Sequence, residues 1–258
     1  MKPILLIGDS CTDKFVYCNC TRLCPEAPVP VLDIKETIQN RGMAGNVLRN
    51  LRIFPITIHF HTNKNHRSII KTRYVEQKTN HMFIRIDTDN KPNSFFTNIR
   101  NSINYDDYSA VVISDYDKGY INYDLFDILA PKNPNIKIFV DTKKTKLPVH
   151  YNNIVYKINK KEFELLDPNH IPRGENMIVT HGANGALWNK KQIPVPITRV
   201  FDVTGAGDTF LAALVWYYIQ LPSMEEAIAF ANRCAAIAVQ NPGTYTLKMD
   251  DVDGILGK

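Results

Sequence analysis

Five short apolar runs recur along the chain, and each ends at a polar residue or a glycine. The runs cover residues 4–7, 110–113, 136–140, 154–158 and 177–179. Because they lack the alternation of a half-exposed strand, they predict strands buried on both faces, as in a parallel sheet covered by helices. Ligands of open α/β sheets bind beyond the carboxyl ends of the strands, so we expect the functional site there. The residues at those ends are Gly8, Asp9, Ser114, Asp115, Asp141, Asn159 and Thr180.

Two other stretches, residues 15–34 and 69–87, alternate between apolar and polar positions. Alternation predicts half-exposed antiparallel strands, which would form a small sheet beside the main one. The whole pattern therefore predicts one α/β domain over residues 1–258. Its mainly parallel central sheet would be flanked by helices, and a small β-sheet lid would come from about residues 12–40 and 68–90.

The C-terminal third has the pattern of two helices. Residues 208–221 are apolar nearly all round, which indicates a buried helix, and Pro222 ends it. Ser223 and Glu226 have the spacing of a capping box, in which each side chain accepts a backbone N–H of the other residue. A second helix is therefore expected from this box to about Gln240.

The amino-acid composition does not identify the functional class of the protein, but it argues against nucleic-acid and membrane partners. The chain has 258 residues, of which 44% are hydrophobic and 22% charged, as in an ordinary globular protein. A net charge of +5 suits phosphorylated ligands and is too small to indicate nucleic acid. The first apolar run is too short for a signal peptide, and no stretch reaches the length of a membrane span. We expect a cytoplasmic protein with neither a nucleic-acid nor a membrane partner.

Cysteine and histidine spacing gives little support to a zinc site. Four of the five cysteines, Cys11, Cys18, Cys20 and Cys24, crowd one segment, but no CxxC pair occurs. Reduced thiols of a cytosolic protein are the simpler interpretation. His59 and His61 would share one face of a strand, with no evident third ligand.

The run at 202–209, Asp-Val-Thr-Gly-Ala-Gly-Asp-Thr, combines features that suggest catalysis. Gly205 and Gly207 let the backbone turn tightly and approach a ligand at the start of the buried helix. Amides at a helix N-terminus bind anions. A carboxylate such as Asp208 repels an anion, but it has a use there if it accepts a proton from a nucleophile that attacks phosphorus. The alternative is a glycine-rich turn with Asp208 as an ordinary helix cap.

The same run closely resembles the DTxGAGD signature of the ribokinase-like (PfkB) carbohydrate kinases, and the resemblance extends along nearly the whole chain. Residues 8–13 resemble the opening strand of the family, and 42–46 resemble its GGAAN turn. Residues 159–162 are similar to its NxxE motif, and 180–185 to its strand-to-turn segment. The resemblance implies a ribokinase-like fold and a kinase that uses ATP and Mg²⁺. Whether a monovalent cation assists, and whether the lid strands form a homodimer, stays open.

The resemblance also implies roles for individual residues. Asp208 would be the base that deprotonates a sugar hydroxyl, and the amides of Gly205, Ala206 and Gly207 would form an anion hole with it. Asp13, Gly42 and Asn46 would contact the sugar. The expected ATP contacts are Asn159, Lys160, Lys161, Glu162, Thr180, Gly182, Gly185 and Asn232. Asn159 and Glu162 would hold Mg²⁺ directly or through water.

Three segments resemble the heptose 7-phosphate kinases within this family: residues 21–30 with their Pro-Glu-Ala-Pro-Val-Pro run, 84–87 and 114–119. The resemblance implies a heptose 7-phosphate acceptor and a 1,7-bisphosphate product. The implied acceptor contacts are Arg22, Glu26, Arg85 and Lys118. The phosphate of the acceptor needs cations, and the candidates are Lys71, Arg73, Arg85 and Lys118.

The chain departs from the family pattern in several places. Met43 stands where the GGAAN turn has its second glycine, and Gly45 stands where it has an alanine. A side chain at position 43 would either crowd the sugar or shift the turn. Residues 51–55 lead directly to the lid, where family members carry a further helix. Heptose kinases are often fused to a nucleotidyltransferase domain, and none is expected after Lys258.

Two other functions stay open, and a third is disfavoured. The chain could phosphorylate another small sugar, such as ribose or fructose phosphate, or a nucleoside. It could also be a non-catalytic sugar-phosphate sensor on a kinase scaffold, although a pure binder does not need Asp208. A dinucleotide-dependent oxidoreductase is disfavoured because no GxGxxG follows the first strand.

Overall fold

The computed structural model describes residues 1–88, 91–92, 103–132 and 134–257. Residues 89–90, the end of the predicted lid segment, lie outside the described residues. The strands are β1 (Ile4–Gly8), β2 (Ser10–Leu23), β3 (Pro30–Met43), β4 (Ile58–Thr62), β5 (Ile70–Glu76), β6 (Met82–Asp87), β7 (Ala110–Asp115), β8 (Ile138–Thr142), β9 (Ile154–Asn159), β10 (Met177–Thr180), β11 (Ala186–Trp188) and β12 (Lys191–Ile193). The α-helices are α1 (Ala44–Leu51), α2 (Asp124–Lys132), α3 (Lys160–Glu164), α4 (Ala206–Gln220), α5 (Met224–Ala238) and α6 (Met249–Leu256).

Within the described residues, eight strands form the large sheet in the order β12-β11-β10-β9-β8-β7-β1-β4. Pairing is parallel from β10 to β4 and antiparallel at β11 and β12. The five apolar runs became β1, β7, β8, β9 and β10, and their side chains are almost all buried. The predicted fold, a mainly parallel sheet with helices and a separate small sheet, is confirmed.

Alternate residues of each central strand face two different hydrophobic clusters, since successive side chains of a strand point to opposite faces. Ile4 and Leu6 pack with α1, α4 and α5 on one face. Leu5 and Ile7 pack with α2 on the other. Both faces are therefore covered, which is why the runs show no alternation in sequence.

The lid sheet has the order β3-β2-β5-β6. β2 pairs antiparallel with β3, and β5 with β6, but β2 and β5 are parallel, so the prediction of a purely antiparallel lid was wrong. The reason lies in the large sheet. β1 and β4 are parallel neighbours there, and each leads onward to a lid strand, β1 to β2 and β4 to β5. The two lid strands therefore leave the main sheet in the same direction.

The two predicted C-terminal helices are present as α4 and α5, and half of the predicted capping box forms. The Ser223 hydroxyl accepts a hydrogen bond from the Glu226 amide at 3.5 Å. The reciprocal bond does not form, because the Ser223 amide donates to the Leu221 carbonyl at 2.7 Å instead. Among the described residues, no helix combines the length and the hydrophobicity needed to cross a membrane.

Candidate active site

Asp208 lies in the first turn of α4, with only 7% of its surface exposed. Two side chains hold its carboxylate. The Asn46 Nδ2 donates to Oδ2 at 2.9 Å, and the Tyr116 hydroxyl donates to Oδ1 at 3.0 Å. Asn46 is at the start of α1 and Tyr116 follows β7, so the fold brings three distant segments together at one carboxyl group.

The glycines before Asp208 are needed because the turn is crowded. Gly205 has φ of 81°, in the left-handed region, and a Cβ there would lie 2.7 Å from the Asn46 Nδ2. A Cβ on Gly207 would lie 2.8 Å from the Lys157 Nζ. The turn therefore passes directly against one donor to the carboxylate and against a buried ammonium group.

The environment of Asp208 makes it a stronger base than a solvated aspartate. Burial raises its pKa to about 6, and the charge of Asp141 acts in the same direction. The hydrogen bond from Asn46, the charge of Lys157 and the hydrogen bond from Tyr116 oppose the rise. The carboxylate is thus ionised at neutral pH yet close enough to its pKa to accept a proton readily.

Lys157 is the charged group at this site that the sequence reading missed. It lies on β9, and its Nζ is 2.5 Å from the Asp141 Oδ2 in an ion pair of which both members are nearly buried. Burial lowers the pKa of Lys157, but Asp141, together with Glu162 and Asp208, more than offsets this and the net shift is upward. The available signal was a lysine inside an otherwise apolar run, since a buried charge needs a partner.

The predicted sugar contacts cluster next to Asp208. The Asp13 Oδ1 pairs with the Arg73 Nη1 at 2.6 Å, and both side chains are largely buried. A Cβ on Gly42 would lie 2.1 Å from the Asp13 Oδ2, so this glycine makes room for the carboxylate. Asn46 is fully buried, and its Oδ1 has no hydrogen-bond partner among the described residues. A buried acceptor without a donor is a place where a ligand hydroxyl can bind.

Met43 has φ of 59° and ψ of −130°, a region that glycine adopts far more easily than other residues. This explains why the related turns carry glycine there. The Met43 side chain is buried in a small cluster with Cys11 and Ile69, against Tyr116. The methionine thus keeps the turn despite the backbone strain, and its side chain packs beneath the site.

The predicted acceptor contacts of the lid and of the loop after β7 divide into three groups. Lys71 and Lys118 line a cavity of about 280 Å³ together with Lys91. Arg85 is paired with Asp87 through two hydrogen bonds of 2.7 Å each.

The third group consists of Arg22 and Glu26, which are exposed at the far end of the lid. Arg22 lies nine residues along β2 from Asp13, which at the rise of a strand is roughly 30 Å. The structure does not bring these two residues to Asp208, and their role stays a prediction.

An apolar cavity of about 270 Å³ lies beside the glycine turn, between α4, α5 and the segment 195–200. The predicted nucleotide residues Thr180, Gly182, Gly185 and Asn232 line it. Gly185 has φ of 83°, and a Cβ there would meet the Ile193 carbonyl at 2.2 Å. The side-chain amide of Asn232 already has protein partners, since its Nδ2 donates to the Ile193 and Pro194 carbonyls at 3.0 and 3.1 Å.

A second, more polar cavity of about 570 Å³ connects these groups. Asp208, Gly205 and Gly207 line it. It is otherwise rich in cations and strand-end groups, namely Lys143, Lys157, Lys160, Lys161, Asn159, Thr180 and Asp141. Such a surface suits a polyphosphate.

The two predicted metal ligands hold each other in a capping box. The Asn159 Oδ1 accepts from the Glu162 amide at 3.0 Å, and the Asn159 amide donates to the Glu162 Oε2 at 2.8 Å. The remaining Glu162 oxygen is in a close ion pair with Lys143. Across the described parts of the chain, no group of three or more His, Cys, Asp or Glu side chains could hold a metal ion.

Comparison with known proteins places the site in context. A model described as the pfkB family carbohydrate kinase matches residues 159–251, which include Asn159, Glu162 and the 202–209 run. The chain is 27% identical over 303 residues to the bifunctional protein HldE of a Nitratiruptor species, covering 98% of this chain and 65% of that protein. It is 28% identical over 315 residues to the HldE of Helicobacter pylori, covering 100% and 67%. The chain thus spans about two thirds of the length of these relatives.

Two solved structures have the same fold over the whole chain. Ribokinase from Thermotoga maritima superposes with a TM-score of 0.70 at 17% identity, covering 100% of both chains. Phosphofructokinase-2 from Escherichia coli, solved in complex with potassium, gives a TM-score of 0.72 at 15% identity, covering 100% of this chain and 99% of that one.

Proposed function

We propose that the chain is a carbohydrate kinase of the pfkB type, which transfers the γ-phosphoryl group of ATP to the anomeric hydroxyl of heptose 7-phosphate. The similarity to the pfkB model over residues 159–251 and to the HldE proteins supports this proposal. The observation that carries this proposal is the position of Asp208. Its buried carboxylate lies in the first turn of α4, lines the polar cavity, and touches Asn46 on the side of the predicted sugar site. A base in this position meets both substrates.

In the proposed reaction, Asp208 accepts the proton of the acceptor hydroxyl as that oxygen attacks the γ-phosphorus of ATP, and the bond from the γ-phosphorus to the bridging oxygen breaks to release ADP. The Asn46 Nδ2 donates to the Asp208 carboxylate and so helps to hold the base. The Asn46 Oδ1 has no hydrogen-bond partner among the described residues, so this oxygen can accept a hydrogen bond from another hydroxyl of the sugar. Asp13, which is held by Arg73 and lies against Gly42, offers a further carboxylate to sugar hydroxyls.

The charge on the transferred group is stabilised by the start of α4. First-turn amides of a helix have no intrahelical partner, and the macrodipole adds positive potential. The Ala206 amide donates to the Val203 carbonyl at 3.3 Å, so the anion hole is proposed to rest mainly on the amides of Gly205, Gly207 and Asp208. The ammonium group of Lys157, which lies against Gly207, adds a fixed positive charge.

The nucleotide is proposed to bind with its base in the apolar cavity and its phosphates in the polar one. The two cavities share Thr180, Gly182 and Gly207, so one ligand can occupy both. Lys143, Lys160 and Lys161 line the polar cavity, where they can neutralise the β- and γ-phosphates.

Magnesium fits this arrangement if protein contacts to it run through water. The Asn159 Oδ1 and the Glu162 Oε2 each accept a backbone hydrogen bond, and the Glu162 Oε1 is paired with Lys143. Contacts through water leave these bonds in place. Mg²⁺ usually keeps several waters and binds substrate phosphates, which suits the cation-rich cavity. When bound, the ion would neutralise charge on the phosphates of ATP.

The distal phosphate of the acceptor is proposed to bind between Lys71 and Lys118. These two lysines line one cavity, and the Lys71 Nζ lies 5.0 Å from the centroid of the Tyr116 ring, whose hydroxyl touches Asp208. The arginine candidates Arg73 and Arg85 pair with Asp13 and Asp87 and do not line this cavity. An acceptor can therefore present one hydroxyl to Asp208 while its phosphate reaches the lysines.

A panel assay tests the proposal. The purified chain is incubated with ATP, Mg²⁺ and a series of heptose, hexose and pentose phosphates, and ADP release is measured with the product identified by ³¹P NMR. We expect the highest kcat/KM with heptose 7-phosphate and a new phosphate on O1. Preference for a hexose or pentose phosphate would show that the proposed acceptor is wrong, while the proposed kinase activity would stand. ATP turnover that no sugar stimulates would contradict the proposed function.

A further inference from the structure

Tyr116 occupies a fixed position at the end of β7. Its amide donates to the Asp9 Oδ2 at 2.7 Å, and the Tyr120 amide donates to the Asp9 Oδ1 at 3.3 Å. Asp9 is fully buried beside β1, so one carboxylate fastens both ends of the turn 116–120 to the central sheet. The backbone of this turn is therefore anchored to the main sheet, and the Tyr116 ring packs against Cys11, Met43 and Ile69.

Two lysine ammonium groups also contact the Tyr116 ring. The Lys71 Nζ lies 5.0 Å from the ring centroid, and the Lys143 Nζ lies 5.4 Å from it. Both distances fall within the range of a cation–π contact. Lys71 belongs to the cavity proposed for the acceptor phosphate and Lys143 to the cavity proposed for the nucleotide. Tyr116 thus lies at the boundary of the two substrate sites.

The hydroxyl group of Tyr116 acts as a donor to the base. Burial and the neighbouring carboxylates of Asp208 and Asp141 hold the pKa of Tyr116 well above its ordinary value, so the phenol keeps its proton. It donates to the Asp208 Oδ1 at 3.0 Å while Asn46 donates to Oδ2 at 2.9 Å. Each carboxylate oxygen can accept two hydrogen bonds, so both oxygens keep a lone pair for the acceptor hydroxyl.

We infer that Tyr116 is a positioning residue for this kinase, which orients the Asp208 carboxylate towards the acceptor hydroxyl. The inference rests on the proposed phosphoryl transfer. A single donor would leave the carboxylate free to rotate about its Cβ–Cγ bond. With a donor on each oxygen the plane of the carboxylate is fixed, and a well-oriented base is worth far more than a mobile one.

The same hydrogen bond has an electrostatic consequence that can be measured. The titratable and charged groups around the pair are Asp141, Lys157, Cys11, Asp13, Lys71 and Lys143. A hydrogen bond to the charged form of an acid favours that form, so Tyr116 lowers the pKa of Asp208 and counteracts burial. Removal of the hydroxyl should move that pKa upward.

The test compares the wild-type chain with Tyr116→Phe over pH 5 to 9, with ATP, Mg²⁺ and the sugar phosphate that the wild type accepts best. The acid limb of kcat/KM for the wild type is expected near pH 6. For Tyr116→Phe the limb should shift up by about one pH unit, and kcat should fall about tenfold. The KM for ATP should stay unchanged.

Tyr123→Phe is the matched control, because it removes a tyrosine hydroxyl from the chain segment that follows the same turn, where the side chain is 42% exposed. Its pH profile should superimpose on that of the wild type. If the Tyr116→Phe profile also superimposes and only the acceptor KM changes, the tyrosine merely lines the site and the inference is wrong.

A second measurement does not depend on turnover. The carboxyl ¹³C resonance of Asp208, assigned by its loss in Asp208→Asn, is titrated in the substrate-free protein. An upward shift of its pKa in Tyr116→Phe supports the inference, and identical titrations overturn it. If the wild type phosphorylates no sugar at all, the proposed function fails while this titration still decides the role of the hydrogen bond. Thermal unfolding of each variant checks that it is folded.

Discussion

Lys157 and Asp141 form a buried ion pair directly against the glycine turn of the site, with the Lys157 Nζ 2.5 Å from the Asp141 Oδ2. Two neighbouring strands, β8 and β9, supply the partners, and their register places Asp141 opposite Lys157. Taking both charges out of water is unfavourable, and only their close contact offsets this. The pair is therefore sensitive to loss of either member.

Lys157→Met should lower both stability and activity. It leaves the Asp141 carboxylate buried without a partner, which costs about 3–5 kcal/mol in the free energy of unfolding. Loss of the positive charge beside Gly207 should also reduce kcat by about 10²-fold or more. Urea unfolding and steady-state kinetics measure the two effects.

The double variant Lys157→Met/Asp141→Asn separates these effects. With both charges removed, most of the lost stability should return, because no unpaired charge stays buried. The kcat should stay low, since the charge that faces the phosphoryl group is still missing. Recovery of activity in the double variant would mean that Lys157 has only a structural role.

Asp208→Asn should abolish turnover yet stabilise the fold at alkaline pH. The pKa of Asp208 is about 6 in the folded protein against 3.8 for an ordinary aspartate, so the folded state binds this proton more tightly than the unfolded state. The stabilising effect of the protonated carboxyl is present below about pH 4 and is lost as the pH rises through about 6. Asparagine is neutral throughout. At pH 8 we expect the variant to be about 2 kcal/mol more stable, with kcat lower by several orders of magnitude.

Urea unfolding at pH 8 and pH 4 checks the sign, because the difference between variant and wild type should largely disappear at the lower pH. The exposed Asp106→Asn is the control, for which we expect a change within about 0.5 kcal/mol at both pH values. A variant no more stable than the wild type at pH 8, or with near-normal turnover, would refute the role assigned to this carboxyl group.

The parts of the fold that local sequence could predict are those that depend on one segment at a time. β1, β7, β8, β9 and β10 are unbroken apolar runs because each is buried on both faces. The candidate site could be predicted at Asp208 because two glycines, an acid and a buried helix follow each other within one short run. In both cases the residues that determine the local structure lie within a few positions of one another in the chain.

The contacts that escaped sequence reasoning join residues far apart in the chain. Tyr116 and Asp208 are separated by 92 positions, and no local pattern marks their hydrogen bond. The parallel pairing of β2 with β5 follows from the order of strands in the other sheet, which the alternation within the lid strands does not encode. One of the two hydrogen bonds of the capping box at Ser223 does not form, because the Ser223 amide donates to the Leu221 carbonyl instead.

Gly205→Ala should damage catalysis beyond its cost in stability. The residue has φ of 81°, and its new Cβ would lie 2.7 Å from the Asn46 Nδ2, which must then move away from Asp208. Gly257→Ala is the control, since its φ is 71° with nothing within 4 Å of the new Cβ. Both variants lose about 1 kcal/mol to the backbone conformation. Only Gly205→Ala should lower kcat, by about 10²-fold; equal kinetics in the two variants would show that the Asn46 contact is dispensable.

Met43→Gly should be more stable than Met43→Ala, the reverse of the usual order. Both variants lose the buried methionine side chain and leave the same cavity by Cys11 and Ile69. Only glycine relieves the strain at φ of 59° and ψ of −130°, which amounts to about 1–3 kcal/mol. Denaturant unfolding of the two variants measures the difference directly. An alanine variant that is as stable as the glycine variant would mean that the backbone relaxes to another conformation.

Lys71→Met should weaken binding of a phosphorylated acceptor and leave ATP binding unchanged. Lys71 lines the cavity with Lys118 on the inner face of the lid, and loss of one charge-assisted contact to a phosphate should raise the acceptor KM about tenfold. Lys14→Met is the matched control, because Lys14 is next to the inward-facing Asp13 on β2, points to the opposite face of the lid sheet and lines a different cavity.

The decisive comparison measures the KM for the same sugar without its phosphate. Its KM should be equal in the wild type and in Lys71→Met, because the uncharged acceptor makes no contact that the lysine could lose. A rise of equal size for both acceptors would place the phosphate elsewhere and assign Lys71 to the sugar itself or to the Tyr116 ring.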